Sequence, residues 1–315
     1  MKLRFDIQGK CQPDPFIFED EGKFYLFATG WCGVPGVEVY SADDPLTDEW
    51  HYEGIATQFG DGAKSFWAPS VIKYEGRYYM YVSCFKESKG IDQYMHVAVS
   101  DSPLGPYTNE VQLYDHFSID SHMVKTDAGL FLFFAEDRTE GEKIGTRVFV
   151  DRFLDPYTPA RAPKEVVSPD FDEELFMRNR YGDGRDWYTI EGPFWFYEDG
   201  YHYLMYSGGC FQDNTYHVGY AYAKSDEQDL TKVDFVKKTR DGGFCPVIMG
   251  NDFEEGAGHH SVLKYKGDYY AYYHACDLGA RGGKGTPYVE ARTARICRMT
   301  VKDGEIKAEQ KEQSL

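Results

Sequence analysis

Residues 191–208 read EGPFWFYEDGYHYLMYSG. On both sides of the Glu-Asp-Gly turn at 198–200 the side chains alternate with period two, and aromatics crowd the second run. That is the pattern of a β-hairpin closed by a glycine turn. Four other stretches repeat it: DPFIFEDEGKFYLFAT from Asp14, WAPSVIKYEGRYYMYVS from Trp67, DSHMVKTDAGLFLFFAE from Asp120 and HHSVLKYKGDYYAYYHA from His259. The turn glycines are Gly22, Gly76, Gly129, Gly200 and Gly267, at successive spacings of 54, 53, 71 and 67 residues. Between the hairpins lie GVEVYSADDPLTDEW, MHVAVSDSPLGPY, RVFVDRFLDPY, VGYAYAKSDEQDL and ARICRMTVKDGEI, each an alternating strand followed by a turn rich in Asp, Pro, Gly or Ser. Each unit therefore holds about four strands, the size of a propeller blade. Five units predict an all-β, five-bladed β-propeller filling residues 1–315 as one domain. A large β-sandwich with coincidentally similar hairpins is the competing reading, and the regularity of the repeat argues against it. No helix-period segment of ordinary length competes, and no linker-like stretch marks a second domain.

The 315 residues include 26 Tyr, 22 Phe and 5 Trp, an aromatic share of 17% against a mean hydropathy of −0.56. Such a load excludes intrinsic disorder, and no apolar run approaches the length of a membrane span. With 34 Lys and Arg against 52 Asp and Glu, the net charge is −18. DNA, RNA and acidic membrane surfaces are repelled at long range by that charge, whereas a neutral ligand is indifferent to it. Neither nucleic acid nor membrane is expected as a partner. Lys2 and Arg4 are followed by no apolar stretch of signal-peptide type, so a cytoplasmic location is the expectation. The seven cysteines are scattered, odd in number and without a C-x-x-C pair; they read as reduced thiols, not as a disulfide framework or a zinc site.

Counting back eight or nine positions from the turn glycines lands on Asp14, Trp67, Asp120, Glu191 and His259. The innermost strands of a propeller begin facing a shared channel, so these five residues are expected to converge. Each has an ordinary explanation by itself. Asp14 before Pro15 forms turns, Glu191-Gly192-Pro193 ends a loop, Asp120 caps a strand, and His259 is a core histidine. Together at one register those explanations weaken, because clustered carboxylates repel one another and are costly unless a site uses them. Three carboxylates beside an aromatic wall, with no metal-ligand motif, suit glycoside hydrolysis: one acid protonates the leaving oxygen and another carboxylate activates water. A third carboxylate near the acid raises its pKa by like-charge repulsion. Tyr and Trp faces stack on the apolar faces of sugar rings.

The chain resembles glycoside hydrolase family 43, five-bladed propeller enzymes acting on arabinose- and xylose-containing glycans. The resemblance rests on Asp14-Pro15 followed by FIFEDEGKFYLFAT, Trp67-Ala68-Pro69, Ile119-Asp120-Ser121, Ile190-Glu191-Gly192-Pro193 and Gly258-His259, in that order along the chain. It implies an inverting mechanism in which Asp14 is the general base, Glu191 the general acid, and Asp120 the carboxylate that orients the acid and raises its pKa. It further implies that His259 sits in the channel beside a bound ion or holds water under the sugar. Calcium is the ion it allows there, reached by His259 through water, with no cofactor required. Arg292 resembles an arginine that reaches the sugar, with Arg295 close enough in sequence to compete for that role. Trp31 lies where such enzymes place a pocket aromatic, and Trp67 is a second sugar platform. Two features depart from the family pattern. His122 follows Asp120-Ser121 with no role assigned. The stretch 178–187 before Glu191, RNRYGDGRDW, puts a basic patch in an acidic protein; it reads either as a solvated loop or as a rim for substrate or a neighbouring subunit.

The resemblance and the residues together lead to an exo-acting glycosidase that removes terminal α-L-arabinofuranosyl or β-D-xylosyl units from short oligosaccharides, with a lean to arabinofuranose. An endo-arabinanase needs an open groove. The longer spacings after Gly129 and Gly200 instead offer material to wall a pocket. A non-catalytic carbohydrate-binding propeller sits poorly with three retained carboxylates. A phosphorylase would need an Arg, Lys and His cluster that only the Arg178–Arg185 loop approaches. The edge of the terminal blade and the Tyr-rich surface leave room for a homo-oligomer.

Overall fold

The aromatic second strand of each hairpin organises the architecture. In Arg77–Phe85, Tyr78, Met80 and Val82 belong to one buried cluster, and Tyr79 and Tyr81 to another on the opposite face. The other four hairpins do the same. Tyr25 and Phe27 part from Phe24 and Leu26, Leu132 and Phe134 from Phe131 and Phe133, Tyr203 and Met205 from Leu204 and Tyr206, and Tyr269, Ala271 and Tyr273 from Tyr270 and Tyr272. A strand buried on both faces reads as a continuous apolar run, which is why these segments lack polar alternation. Burying each such side chain contributes about 1.5–3 kcal/mol.

The computed structural model describes residues 1–7, 11–30, 35–87, 92–281 and 288–312. Blade 1 is the antiparallel meander Phe16–Asp20, Lys23–Ala28, Val37–Ala42 and Glu49–Thr57. Blade 2 is Lys64–Tyr74, Arg77–Phe85, Tyr94–Ser100 and Thr108–Gln112. Blade 3 runs Ile119–Thr126, Gly129–Arg138 and Ile144–Asp155, with Lys164–Val167 outside. Blade 4 is Trp187–Glu198, Tyr201–Gly208 and His217–Lys224, with Val236–Lys237 and Ile248–Met249 outside. Blade 5 is Glu254–Tyr265, Asp268–Asp277, Thr293–Lys302 and Glu305–Glu309. The five apolar clusters lie between blades 1 and 2, 2 and 3, 3 and 4, 4 and 5, and 5 and 1, so the blades close a ring. The protein is a five-bladed β-propeller. The helical segments that lie wholly within the described residues are two short turns, and among those residues no helix is long and apolar enough to cross a membrane.

Residues 1–5 bridge the ends of the ring. The Ile296 amide donates to the Met1 carbonyl at 2.8 Å and the Leu3 amide to the Ala294 carbonyl at 3.0 Å, while Arg4–Phe5 pairs in parallel with Glu49–Trp50. Around the axis every blade interface is clamped by a short polar side chain. Thr29 accepts from the Ala68 amide, Ser70 bonds Ser121, Asp120 accepts from the Gly192 amide, Ser207 accepts from the His259 amide, and Ser261 accepts from the Ile17 amide.

The mouth of each inner strand carries a residue with positive φ: Asp14 (54°), Ala68 (44°), Asp120 (59°), Gly192 (57°) and His259 (39°). All five stand eight positions before the second turn residue, namely Gly22, Gly76, Ala128, Gly200 and Gly267. The four non-glycine cases each cost about 1–2 kcal/mol of left-handed strain. Strain repeated at one register around a channel marks the place where the fold aims side chains at a site.

Candidate active site

These strand mouths bring together Asp14, Trp67, Asp120, Glu191 and His259, with Arg292, Thr29, Ile119, Phe211 and Tyr216, around one pocket of about 80 Å³. Asp14, Asp120 and His259 are themselves the positive-φ residues, whereas Trp67 and Glu191 stand one residue before theirs.

At one corner the Asp14 carboxylate faces a hydroxyl, a guanidinium and two imidazoles, and the Asp14 amide donates to His274 Nδ1 at 3.1 Å. Oδ2 accepts from the Thr29 hydroxyl at 2.5 Å. Oδ1 lies 3.3 Å from Arg292 Nη1, 3.1 Å from His274 Nδ1 and 3.5 Å from His259 Nδ1. Burial works to raise the Asp14 pKa, but His259, Arg292 and His274 outweigh it and hold the carboxyl far below the usual range. Burial also depresses both imidazoles, His274 to about 4, so the cation that persists at neutral pH is Arg292. Arg292 is itself aligned by Glu290, with Nη2 2.7 Å from Oε2 and Nε 3.0 Å from Oε1.

The opposite corner is short of cations. The second Asp120 neighbour besides the Gly192 amide, 2.9 Å from Oδ2, is His259 Nδ1 at 3.7 Å. Because the same nitrogen also faces Asp14, the two aspartate oxygens are no more than 7.2 Å apart. Burial, then the Glu191 and Asp14 charges, raise the Asp120 pKa well above the ordinary value. Glu191 is pushed up to about 7, chiefly by burial, against the Tyr216 hydroxyl that donates to Oε1 at 2.7 Å. The site therefore keeps one carboxylate ionised and a carboxyl pair that retains a proton near neutrality, the division of labour that acid–base cleavage of a glycosidic bond requires.

The model of the glycosyl hydrolases family 43 matches residues 7–306. The chain belongs to this family. Among curated relatives, the xylosidase/arabinosidase 43A of Humicola insolens is 24% identical over 275 residues, 79% of this chain and 76% of its own length. The probable arabinan endo-1,5-alpha-L-arabinosidase C of Aspergillus clavatus is 23% identical over 303 residues, covering 85% and 84%. Among solved structures, a thermostable family-43 glycoside hydrolase superposes with a TM-score of 0.77 at 23% identity, over 96% of this chain and 94% of the other. The alpha-L-arabinofuranosidase of Lactobacillus brevis gives 0.72 at 19% identity, over 94% and 93%. The protein is a glycosidase of family 43.

In this family 43 enzyme the arginine register is resolved by geometry. Arg292 enters the pocket, while Arg295 is bound at 3.2 Å to Glu254 and at 2.7 Å to Asp277. Trp31 lies outside the described residues. His122 is packing: its ring stacks on Phe194 at 3.9 Å and its Nδ1 accepts from the Trp195 amide. The basic stretch before Glu191 is largely neutralised within itself, Arg178 by Asp186 and Arg185 by Asp183.

The channel beneath the pocket, bounded by Phe16, Pro69, Ser121, Phe194 and His260 among others, encloses about 10 Å³. That is room on the order of one water molecule. Calcium takes about 6–8 oxygen ligands. Among the described residues no group of three or more His, Cys, Asp or Glu side chains is placed to hold a metal. His259 directs Nδ1 at Asp14 and Asp120. These residues do not fit a calcium ion.

Thr29, Phe211, Tyr216, His274 and Glu290 escaped sequence reasoning. Thr29 closes the first hairpin and Glu290 stands two residues before Arg292, which are weak signals. Tyr216 has none in its own segment. Its ring lies flat on His274, centroids 5.5 Å apart at 7°, and a side chain at Gly258 would come within 2.1 Å of it. Gly258 pairs with His274 across blade 5, so the one legible trace was the glycine preceding His259.

Proposed function

We propose that this enzyme is an exo-acting, inverting glycosidase that releases terminal α-L-arabinofuranosyl units, and β-D-xylosyl units more slowly, from arabino- and xylo-oligosaccharides. The observation that carries the exo reading is the pocket. It draws walls from all five blades around about 80 Å³, far below the several hundred Å³ of clefts that take larger ligands. Such a space admits one sugar ring at a chain end. The lean to arabinofuranose is supported by the arabinan- and arabinose-directed names of most of the curated relatives.

In the proposed reaction Asp14 takes a proton from a water whose oxygen attacks the anomeric carbon. The bond from that carbon to the glycosidic oxygen breaks as Glu191 delivers its proton to the departing oxygen. Asp120 keeps Glu191 protonated, Arg292 donates to sugar hydroxyls, and Trp67 offers a stacking face. His259 steadies both aspartates. No ion is needed for any of these steps.

The test is product analysis on arabino-oligosaccharides with the anomer followed by NMR. Release of arabinose alone, first appearing with inverted configuration, is expected. Mixed oligosaccharide products would establish the endo action that the names of several relatives carry, and initial retention of configuration would remove Asp14 as base. Initial rates on the p-nitrophenyl α-L-arabinofuranoside and β-D-xyloside decide the sugar, and a clear xyloside preference overturns the lean.

A further inference from the structure

The pocket wall continues outward at Phe211. The Arg292 guanidinium covers this ring at 4.8 Å, and Phe176 lies 6.3 Å away, centroid to centroid. Arg180 lies 5.0 Å over Phe176 and is also 5.4 Å from the Tyr181 ring and 4.9 Å from that of Trp187. Phe176 belongs to Leu175–Met177, which pairs antiparallel with the start of the strand that carries Glu191. A strip of rings therefore leads from the pocket, alongside the strand that carries Glu191, to Tyr181, which is 59% exposed.

The three arginines of this loop are not equivalent. Arg178 and Arg185 are held by ion pairs, and Arg185 also donates to the Thr139 carbonyl. Arg180 makes no ion pair with any described residue, and its charge acts on Asp137, which in turn acts on Glu191. A guanidinium laid over aromatic faces keeps its N–H donors for hydroxyl groups.

We infer that Phe211, Phe176, Arg180 and Tyr181 form the subsite for the leaving group, the sugar on the far side of the cleaved bond. The inference rests on the glycosidase reading above and specifies where the rest of the substrate lies. The departing oxygen takes its proton from Glu191, so the departing sugar lies on the Glu191 side, along whose strand this strip runs. Its C–H face stacks on the rings, and Arg180 bonds its hydroxyls. A neutral sugar approaches freely despite the net charge of −18.

The experiment compares kcat/KM on α-1,5-arabinobiose and on α-L-arabinofuranosyl fluoride, whose leaving group occupies no sugar subsite. For an Arg180→Ala, Tyr181→Ala double variant, the ratio of disaccharide to fluoride falls about tenfold relative to wild type, equivalent to about 1.4 kcal/mol. An unchanged ratio overturns the subsite while leaving the exo-glycosidase reading intact. Wild-type enzyme inert on both substrates would overturn that reading, and the subsite with it.

Discussion

The two corners of the pocket use the same functional group to opposite ends. Asp14 is buried and Glu191 half-buried at the mouths of their inner strands, and desolvation pushes both toward the protonated form. Around Asp14 the neighbours are Arg292, His259, His274 and Thr29, and the proton is lost. Around Glu191 the Asp14 and Asp137 charges oppose Arg292 and a single phenol, Asp120 shares the proton, and the proton stays. Neighbour charge, not depth, separates base from acid.

Removing the acid breaks the comparison most completely. Glu191→Gln is expected to lower kcat/KM on arabinobiose by about 10²–10⁴-fold. The loss shrinks on a dinitrophenyl glycoside, whose leaving group needs little protonation. Equal losses on both substrates would mean that Glu191 does not act as the acid.

Replacing the cation tests the other corner. Without its charge the ionised form of Asp14 is less favoured, so its pKa rises and Arg292→Met brings a limb into the acidic side of the kcat/KM profile. The wild type is expected to lack that limb, because its neighbours hold the Asp14 carboxyl far below the usual range. KM rises as well if Arg292 bonds sugar hydroxyls. A profile still flat on the acid side would show that the imidazoles alone suffice.

The sequence displayed this pairing of corners only in part. The five repeats and their turn glycines are local patterns, so the ring and the positions of Asp14, Trp67, Asp120, Glu191 and His259 could be counted directly. The count slipped by one in blade 3, where Ala128 takes the second turn position and Gly129 begins the strand. The residues that set the proton affinities are another matter. His274 reaches Asp14 across 260 positions and Arg292 across 278, and Tyr216 reaches Glu191 from a segment outside the repeated hairpins. Such contacts are products of ring closure and carry no periodic signature. Arg292 was legible only through the family pattern.

Two milder substitutions move the basic limb in opposite directions. For the wild type, kcat/KM is expected to fall as pH rises through about 7, where Glu191 loses its proton. Asp120→Asn removes a negative neighbour, so the ionised acid becomes cheaper, the Glu191 pKa falls and the limb moves to lower pH. Asn retains an oxygen for the Gly192 amide, which keeps the blade clamp. Tyr216→Phe removes a hydrogen bond that favours the ionised acid, so the limb moves up, by about one pH unit for a charge-assisted bond worth about 1.5 kcal/mol. Shifts of the same sign in the two variants would contradict the assignment of the corners.

The smallest expected effect is at the channel below both corners. Phe16, His122 and Phe194 fill it with rings, and neither ring nitrogen of His260 finds a hydrogen-bond partner among the described residues. Burial holds the His260 pKa well below its ordinary value, so it is a neutral nitrogen base in a space of about 10 Å³. Of the side chains lining it only Asp14, Asp120 and Ser121 bring oxygens, short of the about 6–8 that calcium takes, and the space leaves no room for waters to supply the rest. Treatment with EDTA, and then addition of millimolar calcium, is expected to leave both the melting temperature and kcat/KM unchanged. A specifically bound ion at 100 times its Kd would stabilise the fold by about 2.7 kcal/mol, which a melting curve registers readily. A calcium-dependent rise of that kind would mean that the rings part to admit oxygen ligands, and that the two aspartates feel a cation from below as well as from Arg292.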